Sequence, residues 1–278
     1  MTLTRLHHVA AVVADADSAL RFWRDTLGLP VTKDRIVEEQ GVRGVLLALD
    51  NAEIELIQPV TPDSGVARYL ADRGEGFHHI CFESTDVAAD LIAARDAGIQ
   101  MIDEKPREGL AGMIGFLHPR ANHGVLIEYA QPPDDVPPRP SSDDPSVPRR
   151  VRHAVCATRD LDGATVTFCQ HFGMHEAGRH ESEPFAAEGS FLAFGVGEET
   201  SARVEFVAPT TDDPAHPLVD RLSKGEGLFR LVLHIPDLAA CVAKLEAAGL
   251  AGVDHLGDGS IVEVGPEGTN GVRLVLAN

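Results

Sequence analysis

LHHVAAVV, residues 6–13, is nearly repeated as FHHICFES, residues 77–84. Both set two histidines at the head of an apolar, strand-like run. Each is followed by an Asp-rich turn and a helical pattern, over 17–27 in the first copy and 86–97 in the second, closed by Gly28 and Gly98. Leu20, Trp23 and Leu27 fall on one helical face, Asp and Thr stand where N-caps belong, and a glycine suits a left-handed C-cap. Strand-like runs then follow: RGVLLAL, AEIELIQ, MIGFLH and GVLIEYA. The unit is therefore a strand, a helix and about three strands.

The same unit recurs at a longer period. LHHVAAVVADADSALRFWRDTLGLPV matches VRHAVCATRDLDGATVTFCQHFGMHE, NAEIELIQP matches SARVEFVAP, and GVLIEYAQ matches GVRLVLAN. Between these halves runs QPPDDVPPRPSSDDPSVPR, from Gln131 to Arg149, with too few apolar residues to pack; it reads as a semi-rigid linker. The expectation is an α+β protein of four βαβββ modules in two tandem domains, 1–131 and 150–278, joined by a Pro-rich linker over 132–149.

Composition narrows the partners. A 278-residue chain with 44% hydrophobic residues can bury sizeable cores. A formal charge of −19 argues against nucleic acid or an anionic membrane, both of which need a positive face, and points to small molecules. Cys81, Cys156, Cys169 and Cys241 show no CxxC spacing and read as reduced thiols. The first twenty residues lack the unbroken apolar core of a signal peptide, and no run reaches membrane-spanning length. The expected location is the cytoplasm.

Side chains alternate across a strand, so residues two apart share a face. His8 shares its face with Leu6 and Ala10, Gln58 with Ile54 and Leu56, His79 with Phe77 and Cys81, and Glu128 with Leu126 and Ala130. Four polar groups thus interrupt four apolar faces. Burying such a group without a partner costs about 2–7 kcal/mol, and one shared ion would satisfy all four. His8 and His79 are 71 residues apart and Gln58 and Glu128 are 70, as equivalent positions of two modules require. The set suits one divalent metal ion, Co, Ni, Mn, Fe or Zn. Taken singly each residue has a structural reading: a strand histidine satisfied in the core, a glutamine ending its strand before Pro59, a glutamate turned to solvent by a one-residue slip. His7 and His78, on the opposite faces, read as structural. In the second half the equivalent positions are His153, Ala208, Leu231 and Val275, so that half is expected to keep the fold without the metal site, as a degenerate domain.

These residues resemble the vicinal oxygen chelate superfamily, which includes glyoxalase I and the extradiol dioxygenases, with the nearest likeness to its methylmalonyl-CoA epimerase branch. The resemblance is carried by LHHVAAVVADADSALRFW, EEQGV, IELIQP, FHHICFES and FLHPRANHGVLIEYAQ. It implies metal ligands at His8, Gln58, His79 and Glu128, and a Lewis acid that stabilises an enolate beside a carbonyl. Where many bacterial epimerases read EEQGVRE, with the last Glu a proposed acid/base residue, this chain reads EEQGVRG, with Gly44 there. Glu128, with Glu38, Glu39 or His118, is then left to handle the proton. Arg107 and Arg120 are candidates for coenzyme A phosphates, and a 2-hydroxy ketone is an alternative substrate. An extradiol-type dioxygenase or another metal-dependent lyase, and a non-catalytic binding protein, are the competing readings. A tandem chain is expected to be a pseudo-dimeric monomer or a homodimer.

Overall fold

A computed structural model describes residues 2–135, 139–195 and 202–278; linker positions 136–138 lie outside the described residues. The repeat reading is met four times. The first module is β1 (Leu3–Val12), α1 (Ala16–Leu20, continuing as a π-helical turn Arg21–Thr26), β2 (Val31–Val37), β3 (Val42–Ala48) and β4 (Glu53–Pro59). After α2 (Gly65–Arg73) the second is β5 (Gly76–Ser84), α3 (Val87–Asp96), β6 (Arg107–Gly109), β7 (Gly112–Leu117) and β8 (Ile127–Gln131). The third is β9 (Arg150–Ala157), α4 (Leu161–Phe172), β10 (His175–Ser182), β11 (Ala187–Ala193) and β12 (Arg203–Pro209). Beyond α5 (Pro217–Ser223), the fourth is β13 (Gly227–His234), α6 (Leu238–Ala247), β14 (Val253–Leu256), β15 (Ile261–Val264) and β16 (Leu274–Ala277).

The helix of each module begins where a short polar side chain can replace the missing hydrogen-bond acceptor of its first turn. Asp15, Asp86, Asp160 and Asp237 accept from the backbone N–H three residues on, at Ser18, Ala89, Gly163 and Ala240. The four-fold recurrence of one cap is the local counterpart of the sequence repeat.

Two eight-stranded sheets result, in the orders β2-β3-β4-β1-β5-β8-β7-β6 and β10-β11-β12-β9-β13-β16-β15-β14. Each order reads as one module followed by its mirror, with the modules' first strands side by side at the centre. Within a module the first and last strands pair in parallel, and the others pair antiparallel.

Backbone pairing follows the two halves of the chain, but compactness does not. By Cα proximity one unit comprises residues 1–7, 79–133 and 153–229, and the other 8–78, 134–152 and 230–278. The first unit is built on aromatic rings: Phe82, fully buried on β5, meets Phe168 and Phe172 of α4 and Phe194 edge-on, at centroid distances of 6.5, 5.2 and 5.0 Å. In the second unit the later part of the linker packs, against the sequence expectation for that segment: Val147 is buried against Gly28, the carbonyl of Arg149 accepts from Asp50 N, and that of Pro145 accepts from Asp237 N. A side chain at residue 28 would meet Val147, so the glycine is needed for that approach as well as for its φ of +81°.

None of the four cysteines is in a disulfide. Burial pushes the Cys241 thiol up to about 11, and the Cys156 thiol higher still. No described helix is long and apolar enough to cross a membrane.

The Phe82 cluster makes a stability test. Phe82→Ala should lower the unfolding free energy by about 3–5 kcal/mol in urea titrations, whereas Ile36→Ala, at an exposed position (49%), should stay within about 0.5 kcal/mol of wild type.

Candidate metal centre

Register decides which polar side chains meet. On β1 and β4, Ala10 lies opposite Glu55 and His8 opposite Glu53. On β5 and β8, Cys81 lies opposite Glu128. Each module therefore places a glutamate on its last strand across from the residue two beyond its histidine, on the same face. His8, Glu55, His79 and Glu128 come together: each offers a ligand atom within 4.8 Å of the others, and all four are buried. His8 Nε2 is 3.1 Å from Glu55 Oε2 and His79 Nε2 is 3.0 Å from Glu128 Oε2.

Two donors bound about 2.1 Å from one ion stand roughly 3–3.4 Å apart, so the His–Glu pairs already have the length of a ligand–ligand edge. Two buried carboxylates held this close repel each other unless a cation offsets them. Donor type, spacing and charge all fit a divalent ion. A second group, His7, His8 and Cys81, shares His8 with the first and offers a thiol in place of the carboxylates.

Gln58 occupies the other face of β4. It lies three residues from Glu55, and its Oε1 accepts from Ala16 N at 3.0 Å, the first residue of α1. Gln131 does the same for α3, accepting from Val87 N at 3.3 Å. The two glutamines are matched helix anchors, and the residue equivalent to Glu128 is Glu55. Strand parity places Gln58 and Glu55 on opposite faces of β4, but parity alone does not say which face turns toward His8. The signal was present in IELIQP (54–59) and IEYAQP (127–132), which align glutamate with glutamate and glutamine with glutamine.

Glu53 was also missed. It shares the site face, is buried, and its Oε1 accepts from Thr32 Oγ1 at 2.9 Å. Beside His79, the ring of Phe116 packs edge-on at 5.1 Å, and the Arg107 guanidinium lies over that ring at 5.4 Å from its centre; Asp103 fixes the guanidinium through Arg107 Nε at 3.2 Å. Arg120 and Glu39 are exposed, each on a 3-10 turn. His118 caps the first of these turns, its Nδ1 accepting from Arg120 N at 3.1 Å. None of these three belongs to the buried four-residue group. His78 packs edge-on against Tyr69 at 4.9 Å.

In the second sheet Leu231 pairs with Leu274 as Ile80 pairs with Ile127, and GEGLFRL (225–231) aligns with GEGFHHI (74–80). The counterpart of His79 is thus Arg230, and the Leu231 equivalence is off by one residue. Glu205 lies opposite Val155, two beyond His153, and is the counterpart of Glu55. This half retains one imidazole and one carboxylate; the other pair has become Arg230 and Val275. A guanidinium has no lone pair to give a metal, and among the described residues both compact metal-capable groups lie on the first sheet. Glu205 instead stands against two rings, its Oε1 2.7 Å from His180 Nε2 and its Oε2 3.5 Å from His153 Nδ1.

The family profile described as Glyoxalase/Bleomycin resistance protein/Dioxygenase superfamily matches this chain twice, at residues 7–116 and 152–261. The uncharacterised protein YqjC of Bacillus subtilis is 37% identical over 134 residues, 48% of this chain and 96% of that protein. The ethylmalonyl-CoA/methylmalonyl-CoA epimerase of Cereibacter sphaeroides is 35% identical over 130 residues, 46% of this chain and 97% of the epimerase. A mutant 4-hydroxymandelate synthase from Streptomyces coelicolor shares the fold over the whole chain, with a TM-score of 0.70, 17% identity and coverage of 100% of this chain and 94% of that one. With two profile matches on two sheets of four βαβββ modules, the chain belongs to the Glyoxalase/Bleomycin resistance protein/Dioxygenase superfamily.

Proposed function

We propose that the protein is a metal-dependent epimerase that inverts a carbon beside a carbonyl, on a substrate of the methylmalonyl-CoA kind. The observation that carries this reading is the buried group of two histidines and two glutamates at matching register positions; the likeness of 46% of this chain to nearly the full length of a protein named as an epimerase supports it. His8, Glu55, His79 and Glu128 would hold the ion, of the Co, Ni, Mn, Fe or Zn class. When bound, such an ion supplies Lewis-acid polarisation of the carbonyl and stabilises the neighbouring enolate charge.

The chain's own residues supply the proton handling and the dry setting. Inversion needs a proton taken from one side of the carbon and returned to the other. Glu128, buried beside His79 and backed by Phe116 across β7 and β8, is assigned the first task. Gly44 offers no carboxylate for the second, which falls to a loop residue, Glu39 or His118. His118 Nδ1 already accepts from Arg120 N, so Nε2 is the ring nitrogen left to exchange a proton with the substrate.

The assignment separates Glu55 from Gln58. Glu55→Ala should lose tightly bound metal by elemental analysis of the purified chain. Gln58→Ala should keep it and lose only about 1 kcal/mol of stability, the usual cost of a helix cap; the reverse pattern would return the ligand role to Gln58. The reaction is tested in deuterium oxide. Methylmalonyl-CoA should gain deuterium at the carbon next to the thioester carbonyl in the presence of the metal-loaded protein, and Glu128→Gln should slow this by about a hundredfold or more. No deuterium uptake by wild type with any of the five metals would refute the epimerase reading.

A further inference from the structure

The edge strand β2 contributes to the same face as the metal-capable group. Paired residues share a face, and the pairings run in rows: Lys33 opposite Leu46, Leu46 opposite Glu55, Glu55 opposite Ala10; then Arg35 opposite Gly44, Gly44 opposite Ile57, Ile57 opposite Val12. Lys33 and Arg35 thus stand on the site face, one in the row of Glu55 and the other in the row of Gly44. Asp34, between them, points to the opposite face, where Arg43 binds it at 2.8 Å and holds its carboxyl below the usual range. Two cations on one strand face are notable in a chain with 24 basic and 43 acidic residues.

The second sheet shows what a side chain at this position reaches. His180 pairs with Gly189 as Arg35 pairs with Gly44. The His180 ring crosses over that glycine, where a Cβ would come within 2.4 Å of its Nε2, and meets Glu205, the counterpart of Glu55. A glycine in the middle strand is the condition for the crossing. Gly44 meets the same condition, and a guanidinium is longer than an imidazole.

We propose that Lys33 and Arg35 form a cationic rim to the candidate metal site and hold an anionic group of the substrate, a carboxylate or a phosphate, with Gly44 as the gap through which Arg35 reaches in. This rests on the epimerase reading and adds to it a reason for Gly44: the position that lacks a carboxylate also admits a positive charge. Guanidinium and ammonium groups bind such anions through charge-assisted hydrogen bonds.

The test uses the full-length, metal-loaded protein. Lys33→Gln and Arg35→Gln should each raise KM for methylmalonyl-CoA by about tenfold or more, with kcat and metal content little changed, while Arg35→Lys recovers part of the loss. Raising the salt concentration should increase KM for wild type, and much less for the double variant. A methylmalonyl pantetheine thioester, which lacks the phosphates, identifies the anion. If the variants lose affinity for both thioesters, the rim holds the carboxylate; if only for the CoA ester, it holds phosphate. Unchanged KM for both, in an otherwise active protein, overturns the rim. Absence of wild-type activity is the separate failure of the epimerase reading.

Discussion

The parallel pairing between the first and last strand of each module governs the rest of the first sheet. It sets Glu55 across from Ala10 and Glu128 across from Cys81, and so puts one imidazole and one carboxylate from each module on a common face. A slip of one residue on either strand would send the carboxylate into the helix-packed side. The caps and anchors on that other side protect the register: Gln58 and Gln131 bind the first turns of α1 and α3, and Arg43 ties Asp34 on β2 to Asp17 in α1. The site is specified as much by what holds its back as by the residues on its front.

The two halves have diverged in how they satisfy the same buried positions. In the first, two acids and two imidazoles form a set that suits a cation. In the second, Arg230 brings a fixed positive charge to the position of His79, and it lies 3.7 Å from Glu263, which Arg273 also binds at 2.8 Å. Glu205 is meanwhile satisfied by His153 and His180. A buried carboxylate needs a partner in either case: Glu205 has its partners in two rings, and Glu55 and Glu128 each lie against a histidine in a group whose donors suit a cation.

Duplication also explains the packing. The compact units combine the second module with the third and the first with the fourth, so the aromatic cluster of Phe82, Phe168, Phe172 and Phe194 draws on both halves of the chain. The second half supplies the apolar rings of Phe168, Phe172 and Phe194 against which Phe82 of the first is buried. Loss of the second half would expose Phe82 and Tyr129, both fully buried.

The repeat LHHVAAVV and FHHICFES, the Asp caps and the glycine helix ends are enough to give four βαβββ modules and to single out His8, His79 and Glu128 as polar groups on apolar faces, because alternation and capping are local properties of a chain. Gln58 in place of Glu55, and Leu231 in place of Arg230, mark where local reasoning stops. Each is a question of which face, or which row, one strand presents to another, and that is fixed only when the strands pair and the helices choose a side. The same holds for the later linker, whose Val147 looked too isolated to pack until Gly28 provided a seat. Sequence by itself determined the modules and the kinds of group available to the site; the tertiary structure decided which glutamate joins the histidines, because interstrand register, unlike strand periodicity, depends on hydrogen bonds between residues far apart in the chain.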